Sequence, residues 1–146
     1  MGSDEQNDQV PSNGDLFSQL SRIYLFKEVD EQLLHCFAPE LKECSVAANE
    51  YIFHQGDKSD GLYLITEGSL SLLVDRKDGS HDVVCEESVG GVIGEIGLFT
   101  GEPRIHTARA KTEVTLVCVP EAVFRSIVSR DPVAYKQIGK AIQEQL

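Results

Sequence analysis

Apolar side chains recur with three different periods along the chain. Residues 1–14 carry Asp4, Glu5, Asp8, Pro11 and Gly14 with few apolar partners, which predicts a flexible acidic lead-in. Residues 15–146 read as one folded unit. Leu16, Phe17, Leu20, Ile23 and Tyr24 recur at three- and four-residue steps, the stripe of an amphipathic helix. A second short helix is expected next, with Asp30 as its cap and Leu33, Leu34 and Phe37 on its inner face.

The middle of the chain turns to short β-rich runs. Strands are predicted at 51–53, 61–65, 69–74, 82–85, 108–111 and 114–119, each ended by Gly, Asp or a polar pair. Gly56, Gly61 and Gly68 are expected to form turns, and Phe53 and Tyr63 to lie in the core. Lys58 and Asp60 are expected to be solvated, and His35, His54 and His81 to have surface or core roles. The tail returns to helix. Pro120 is placed at a first helical position, with Val123, Phe124, Ile127 and Val128 on one face. Asp131 and Pro132 restart a helix whose apolar side carries Ala134, Ile138 and Ile142, with Tyr135 beside them. The short β-rich runs suggest an antiparallel roll or sandwich, and the order helices, roll, helices makes the fold class α+β, taken as a jelly-roll-like antiparallel β-roll flanked by N-terminal helices and two C-terminal helices. The apolar face of the last helix is expected to be exposed and to need a cover, such as a second copy in a homodimer.

Charge narrows the function classes. The net charge is −11, from 24 acidic and 13 basic residues, which disfavours direct nucleic-acid binding, where affinity comes from neutralised phosphates. No stretch without Asp, Glu, Lys or Arg exceeds eight residues, against about 20 for a membrane span, so no membrane contact is expected. The acidic start is unlike a secretory signal, and Gln6 stands where a myristoylation motif needs Ser or Thr. Cys36, Cys44, Cys85 and Cys118 lack metal-ligand spacing; Cys85 and Cys118 sit in apolar runs and read as buried structural thiols. A reducing, cytoplasmic location is the expectation.

Candidate chemistry is concentrated in residues 90–110. Gly90, Gly91, Gly94, Gly97 and Gly101 allow close backbone approach, and residues 96–100 suit one helical turn whose N–H groups face an anion. Arg104 offers a guanidinium fork and Glu95 a hydroxyl acceptor, a set that suits a phosphorylated sugar. The same residues also suit a glycine-rich barrel corner with a surface arginine. Both readings stand on pattern alone.

The stretch Gly94-Glu95-Ile96-Gly97-Leu98, followed by Pro103-Arg104-Ile105-His106-Thr107, resembles the phosphate-binding cassette of cyclic nucleotide-binding domains. Members of that family include catabolite activator proteins, cAMP-dependent kinase regulatory subunits and cyclic nucleotide-gated channels. Residues 51–57 and 61–68 resemble the family's two upstream signature strands, and the resemblance runs from about residue 16 to the end. It implies that Glu95 accepts from the ribose 2′-OH and that Arg104 pairs with the exocyclic phosphate oxygens. Gly94 would lie against the ribose, Ile96 within the cassette turn, and the N–H groups of Gly97 and Ile105 on the phosphate. His106 replaces the usual small residue, either reaching the phosphate or base, or facing solvent or packing at a barrel rim. Ile105 lacks the hydroxyl that cGMP-preferring sites offer, so the implied ligand is cAMP, with cGMP the alternative.

With no nucleophile–base pair or metal cluster in the sequence, the expected role is sensing without catalysis and without a cofactor beyond that ligand. The flanking helices would report occupancy to an effector domain outside this chain. Val133, Tyr135 or Ile138 would then lie over the purine. The alternatives are a ligand-free interaction domain on the same fold, or a fragment of a cyclic nucleotide-regulated transcription factor, transporter or channel.

Overall fold

Two four-stranded antiparallel sheets fold over one another in the computed structural model, which describes residues 29–145. The acidic lead-in and the helix expected from Leu16 lie outside the described residues. The strands are β1 (Lys42–Val46), β2 (Tyr51–Phe53), β3 (Gly61–Glu67), β4 (Ser69–Asp75), β5 (His81–Ser88), β6 (Val92–Ile93), β7 (Thr107–Ala110) and β8 (Val114–Pro120). Their order is β1-β8-β3-β6 in one sheet and β2-β7-β4-β5 in the other. The helices are α1 (Glu31–Phe37), α2 (Glu95–Thr100), α3 (Glu121–Arg130) and α4 (Pro132–Gln145). The α+β class and the β-roll are as the patterning predicts.

Alternation along β3 and β8 divides the core in two, because successive side chains point to opposite faces. Leu62, Leu64, Val117 and Val119 face the helices and pack with Leu34, Phe37, Leu98, Phe124, Ile127 and Ile138. Ile65, Val114 and Leu116 face into the roll, with Phe53, Leu70, Ile93, Ala108 and Ala110. The first of these cores ties every described helix to the sheet beneath the glycine-rich segment.

The termini of the helices follow their caps. Asp30 accepts from the Gln32 N–H at 3.0 Å and opens α1, with Leu34 and Phe37 buried as expected. Pro120 is extended (φ −62°, ψ 155°) and is the residue before α3, not its first helical position. Pro132 begins α4.

Several expectations need correction. β1 was not foreseen: it is a sheet edge with four exposed residues of five and shows no apolar alternation. β6 is only two residues long and hidden within the glycine-rich stretch. Gly61 is not a turn residue but lies in β3, where a Cβ would come within 2.8 Å of the Val119 carbonyl oxygen. Gly56 (φ 91°) and Gly68 (φ 84°) do form left-handed turns. Cys85 and Cys118 are half-buried, Cys36 and Cys44 exposed, and all four are free thiols. Of the apolar α4 face, Ile138 is fully buried in the helix-side core, while Tyr135 beside it is exposed. Among the described residues no helix is long and apolar enough to cross a membrane.

Phe124 is among the largest fully buried side chains. Phe124→Ala should cost about 3–5 kcal/mol of unfolding free energy through lost burial and a residual cavity, read as a lower urea midpoint.

Candidate functional site

The glycine-rich segment folds into the short helix α2, bounded by two left-handed glycines, Gly94 (φ 83°) and Gly101 (φ 82°). The Gly101 N–H donates to the Gly97 carbonyl at 2.8 Å and ends the helix. Gly97 is needed for space: a Cβ there would run into the Ser59 hydroxyl and lie 2.9 Å from the Glu102 carbonyl oxygen. The Ser59 hydroxyl donates to that carbonyl at 2.7 Å, clamping the end of the segment to the β2–β3 loop. α2 is held from its other side by α3, where Arg125 Nη2 donates to the Leu98 carbonyl at 3.2 Å.

Arg104 is buried although charged. Its backbone is fixed to the β2–β3 loop, with its N–H donating to the Asp57 carbonyl and its carbonyl accepting from the Gly56 N–H, both at 2.8 Å. Its guanidinium lies 4.2 Å from the Phe53 ring centroid and 5.8 Å from that of Tyr63. Nη1 donates to the Gly94 carbonyl at 3.2 Å and Nη2 to Asp60 Oδ1 at 3.0 Å. Nε is buried and, among the described residues, has no hydrogen-bond partner. A buried charged donor left unpaired is costly, and it suits an anionic acceptor brought by a ligand. Burial first, then the charges of Cys118 and Asp60, push Tyr63 up to about 12 against the pull of Arg104, so its ring is a neutral phenol.

A cavity of about 220 Å³ opens beside this guanidinium. Gly94, Glu95, Ile96, Gly97, Arg104, Ile105 and His106, the residues singled out from sequence, all line it. Glu95 is buried at the start of α2, and Ile105 is exposed at the surface. Burial lowers the His106 pKa below the ordinary imidazole value, so the ring is neutral near pH 7. The remaining walls were not foreseen: Phe53, Leu72 and Val92 contribute apolar surface, and Val84, Cys85 and Glu87 come from β5. Asp60 is solvated as expected, but its carboxylate also accepts from Arg104. Its 44-residue separation from Arg104 left no signal in the sequence. Among the described residues no group of three or more His, Cys, Asp or Glu is placed to hold a metal ion.

A buried arginine and a buried glutamate thus line one cavity at the glycine-bounded turn. Residues 43–131 match the cyclic nucleotide-binding domain, and the chain belongs to that family. It is 35% identical over 106 residues to a lysophospholipase of Chaetomium globosum, covering 73% of this chain and 7% of that protein. It is 27% identical over 144 residues to a cAMP-dependent protein kinase regulatory subunit of Blastocladiella emersonii, covering 99% of this chain and 34% of that one. The chain thus spans only a small part of these relatives. Among solved structures, the regulatory domain of Toxoplasma gondii PKA with cAMP superimposes with a TM-score of 0.78 at 20% identity, over 90% of this chain and 50% of that one. This likeness shows the fold.

Two measurements check the local geometry. Gly94→Ala places a Cβ at a left-handed position and against Arg104 Nη1, and should lower stability by about 1–2 kcal/mol or more in urea denaturation. His106 has a lower pKa folded than unfolded. The unfolded chain therefore takes up the proton first as pH falls through its value of about 6.5, and stability falls over that window. Unfolding midpoints at pH 7.5 and 5.5 should converge in His106→Asn relative to the native protein.

Proposed function

We propose that this chain binds a 3′,5′-cyclic mononucleotide, cAMP, and reports its occupancy through the helices around the roll. The observation that carries the reading is the buried Arg104 guanidinium with its orphaned Nε, lining the same cavity as Glu95. In this reading Arg104 takes the exocyclic phosphate oxygens in a charge-assisted fork. The N–H groups of Gly97 and Ile105 add donors to the phosphate. Glu95 accepts from the ribose 2′-OH, the hydroxyl that a 3′,5′-cyclic phosphate leaves free, and Gly94 lies against the ribose. Ile96 belongs to the turn that carries these groups, and neutral His106 offers one ring N–H at the cavity edge. Ile105 presents no hydroxyl to a guanine, which favours adenine. Each role is binding; none breaks a bond.

The route outward is mechanical. Leu98 and Phe99, on the turn that would close on phosphate, pack with the helix-side core, and the Phe99 ring lies 5.3 Å from that of Tyr135 on α4. Phosphate capture would shift α2, and α3 and α4 would follow it, a population shift between two packings. Ile138 is occupied in the core, which leaves Val133 and Tyr135, both exposed, as the α4 side chains available to a base. The binding unit is taken to run over residues 15–146, with its effector outside this chain. Free thiols at all four cysteines favour a reducing, cytoplasmic setting.

Calorimetric titration with cAMP tests the reading. The native chain should bind, and Arg104→Ala should weaken binding by about 10- to 100-fold while remaining folded. Glu95→Gln should lose less, and 2′-deoxy-cAMP should bind the native protein poorly with little further loss in Glu95→Gln. Equal affinity in native protein and folded Arg104→Ala would refute the assignment of Arg104.

A further inference from the structure

The cavity contains one acidic side chain that the phosphate and ribose contacts leave unused. Glu87 enters it from β5, two residues along from Cys85, and is half-buried. Among the described residues its carboxylate has one hydrogen-bond partner, the Cys85 thiol, with Sγ 3.9 Å from Oε2. A carboxylate offers about four acceptor positions, so a single long thiol contact leaves it short of donors. The backbone makes room for it. A Cβ on Gly91 would stand 2.7 Å from Glu87 Oε1 and 3.0 Å from the Ser88 carbonyl oxygen. Gly91 is not among the left-handed glycines, so clearance rather than backbone conformation calls for glycine there.

The charges give the cavity a polarity. Arg104 draws a phosphate to its own side, and Glu87 repels one from the β5 side. With phosphate and ribose on Arg104 and Glu95, the base is left to the walls formed by Leu72, Val84, Val92, Cys85 and Glu87. In a purine nucleotide the substituent at C6 lies close to the line of the glycosidic bond. It therefore points away from the ribose in both syn and anti orientations, whereas a substituent at C2 swings with the rotation. A carboxylate on that wall meets an amino group in adenine and a carbonyl oxygen in guanine or hypoxanthine. The first is a charge-assisted hydrogen bond; the second sets two acceptors against each other.

We propose that Glu87 is a specificity-determining residue that accepts from the exocyclic 6-amino group of adenine, so that the cavity takes 6-aminopurine cyclic nucleotides and rejects 6-oxopurine ones. The proposal rests on the cyclic nucleotide reading above and adds to it a selectivity that depends on one acidic side chain outside the cassette.

Competition titrations of cAMP, cGMP and cIMP against the full chain and its Glu87→Gln variant test it. cIMP narrows the comparison, because it carries oxygen at C6 and a proton on N1 without the 2-amino group of guanine. The native protein should prefer cAMP over cIMP by about tenfold or more. Glu87→Gln, whose amide offers a donor as well as an acceptor, should bring that ratio close to one, with cIMP gaining. The cyclic nucleotide of unsubstituted purine, with hydrogen at C6, should bind both proteins alike, which also reports that the variant is folded. A cAMP-to-cIMP ratio indifferent to residue 87, or one that rises in Glu87→Gln, would overturn the role of Glu87 and leave the cyclic nucleotide reading intact. Failure of the native chain to bind any of the four nucleotides would overturn both.

Discussion

Burying the Arg104 guanidinium is the constraint on which the surrounding arrangement depends. A charge taken out of water has to be met by donors, acceptors or polarisable faces, or the fold loses several kcal/mol. Here the Asp60 carboxylate, the Gly94 carbonyl and the faces of Phe53 and Tyr63 supply most of that environment. Those partners come from β2, β3, the β2–β3 loop and the turn before α2, so meeting one side chain's needs brings four parts of the chain together. Gly94 serves twice in this, since its left-handed φ turns the chain into α2 and its missing side chain leaves room for the guanidinium it binds.

The two-part core explains why the site can be both fixed and connected. Among the described residues, the interior of the roll, around Ile65, Leu70 and Leu116, contains no helix residue. The helix-side core contains Leu98 from α2 alongside Phe124, Ile127 and Ile138 from α3 and α4. α2 is therefore seated on the same layer as the C-terminal helices, while Phe53 and Tyr63, whose rings face Arg104, belong to the roll interior. Arg130 extends this layer toward α1, its guanidinium lying 5.4 Å from the Phe37 ring centroid.

The sequence made the strongly periodic elements legible. β3, β4 and β8 carry Val, Leu and Ile with turn residues at their ends, and Asp30 announces α1 through a local cap. β1 escaped because an exposed edge strand has no apolar face to mark it, and β6 because two residues cannot establish a period. The cassette residues were legible because they are contiguous: Gly94 to Gly97 and Arg104 to His106 lie within 13 positions and share one cavity. The opposite walls were not, since Asp60, Cys85 and Glu87 reach the site only through strand pairing and loop closure. Chemistry contributed by distant segments leaves no spacing to read.

Gly139 gives the contact between α2 and α4 a particular character. With no side chain at that position, the Phe99 ring rests against the helix so closely that a Cβ would stand 2.9 Å from its Cζ. Interiors packed to this density do not compress, so a ring pushed toward α4 must carry the helix with it or be turned aside. On the proposed reading, a joint of this kind would transmit displacement by shape alone. Unlike the ion pair at Arg104, it is indifferent to ionic strength, because no charge takes part in it.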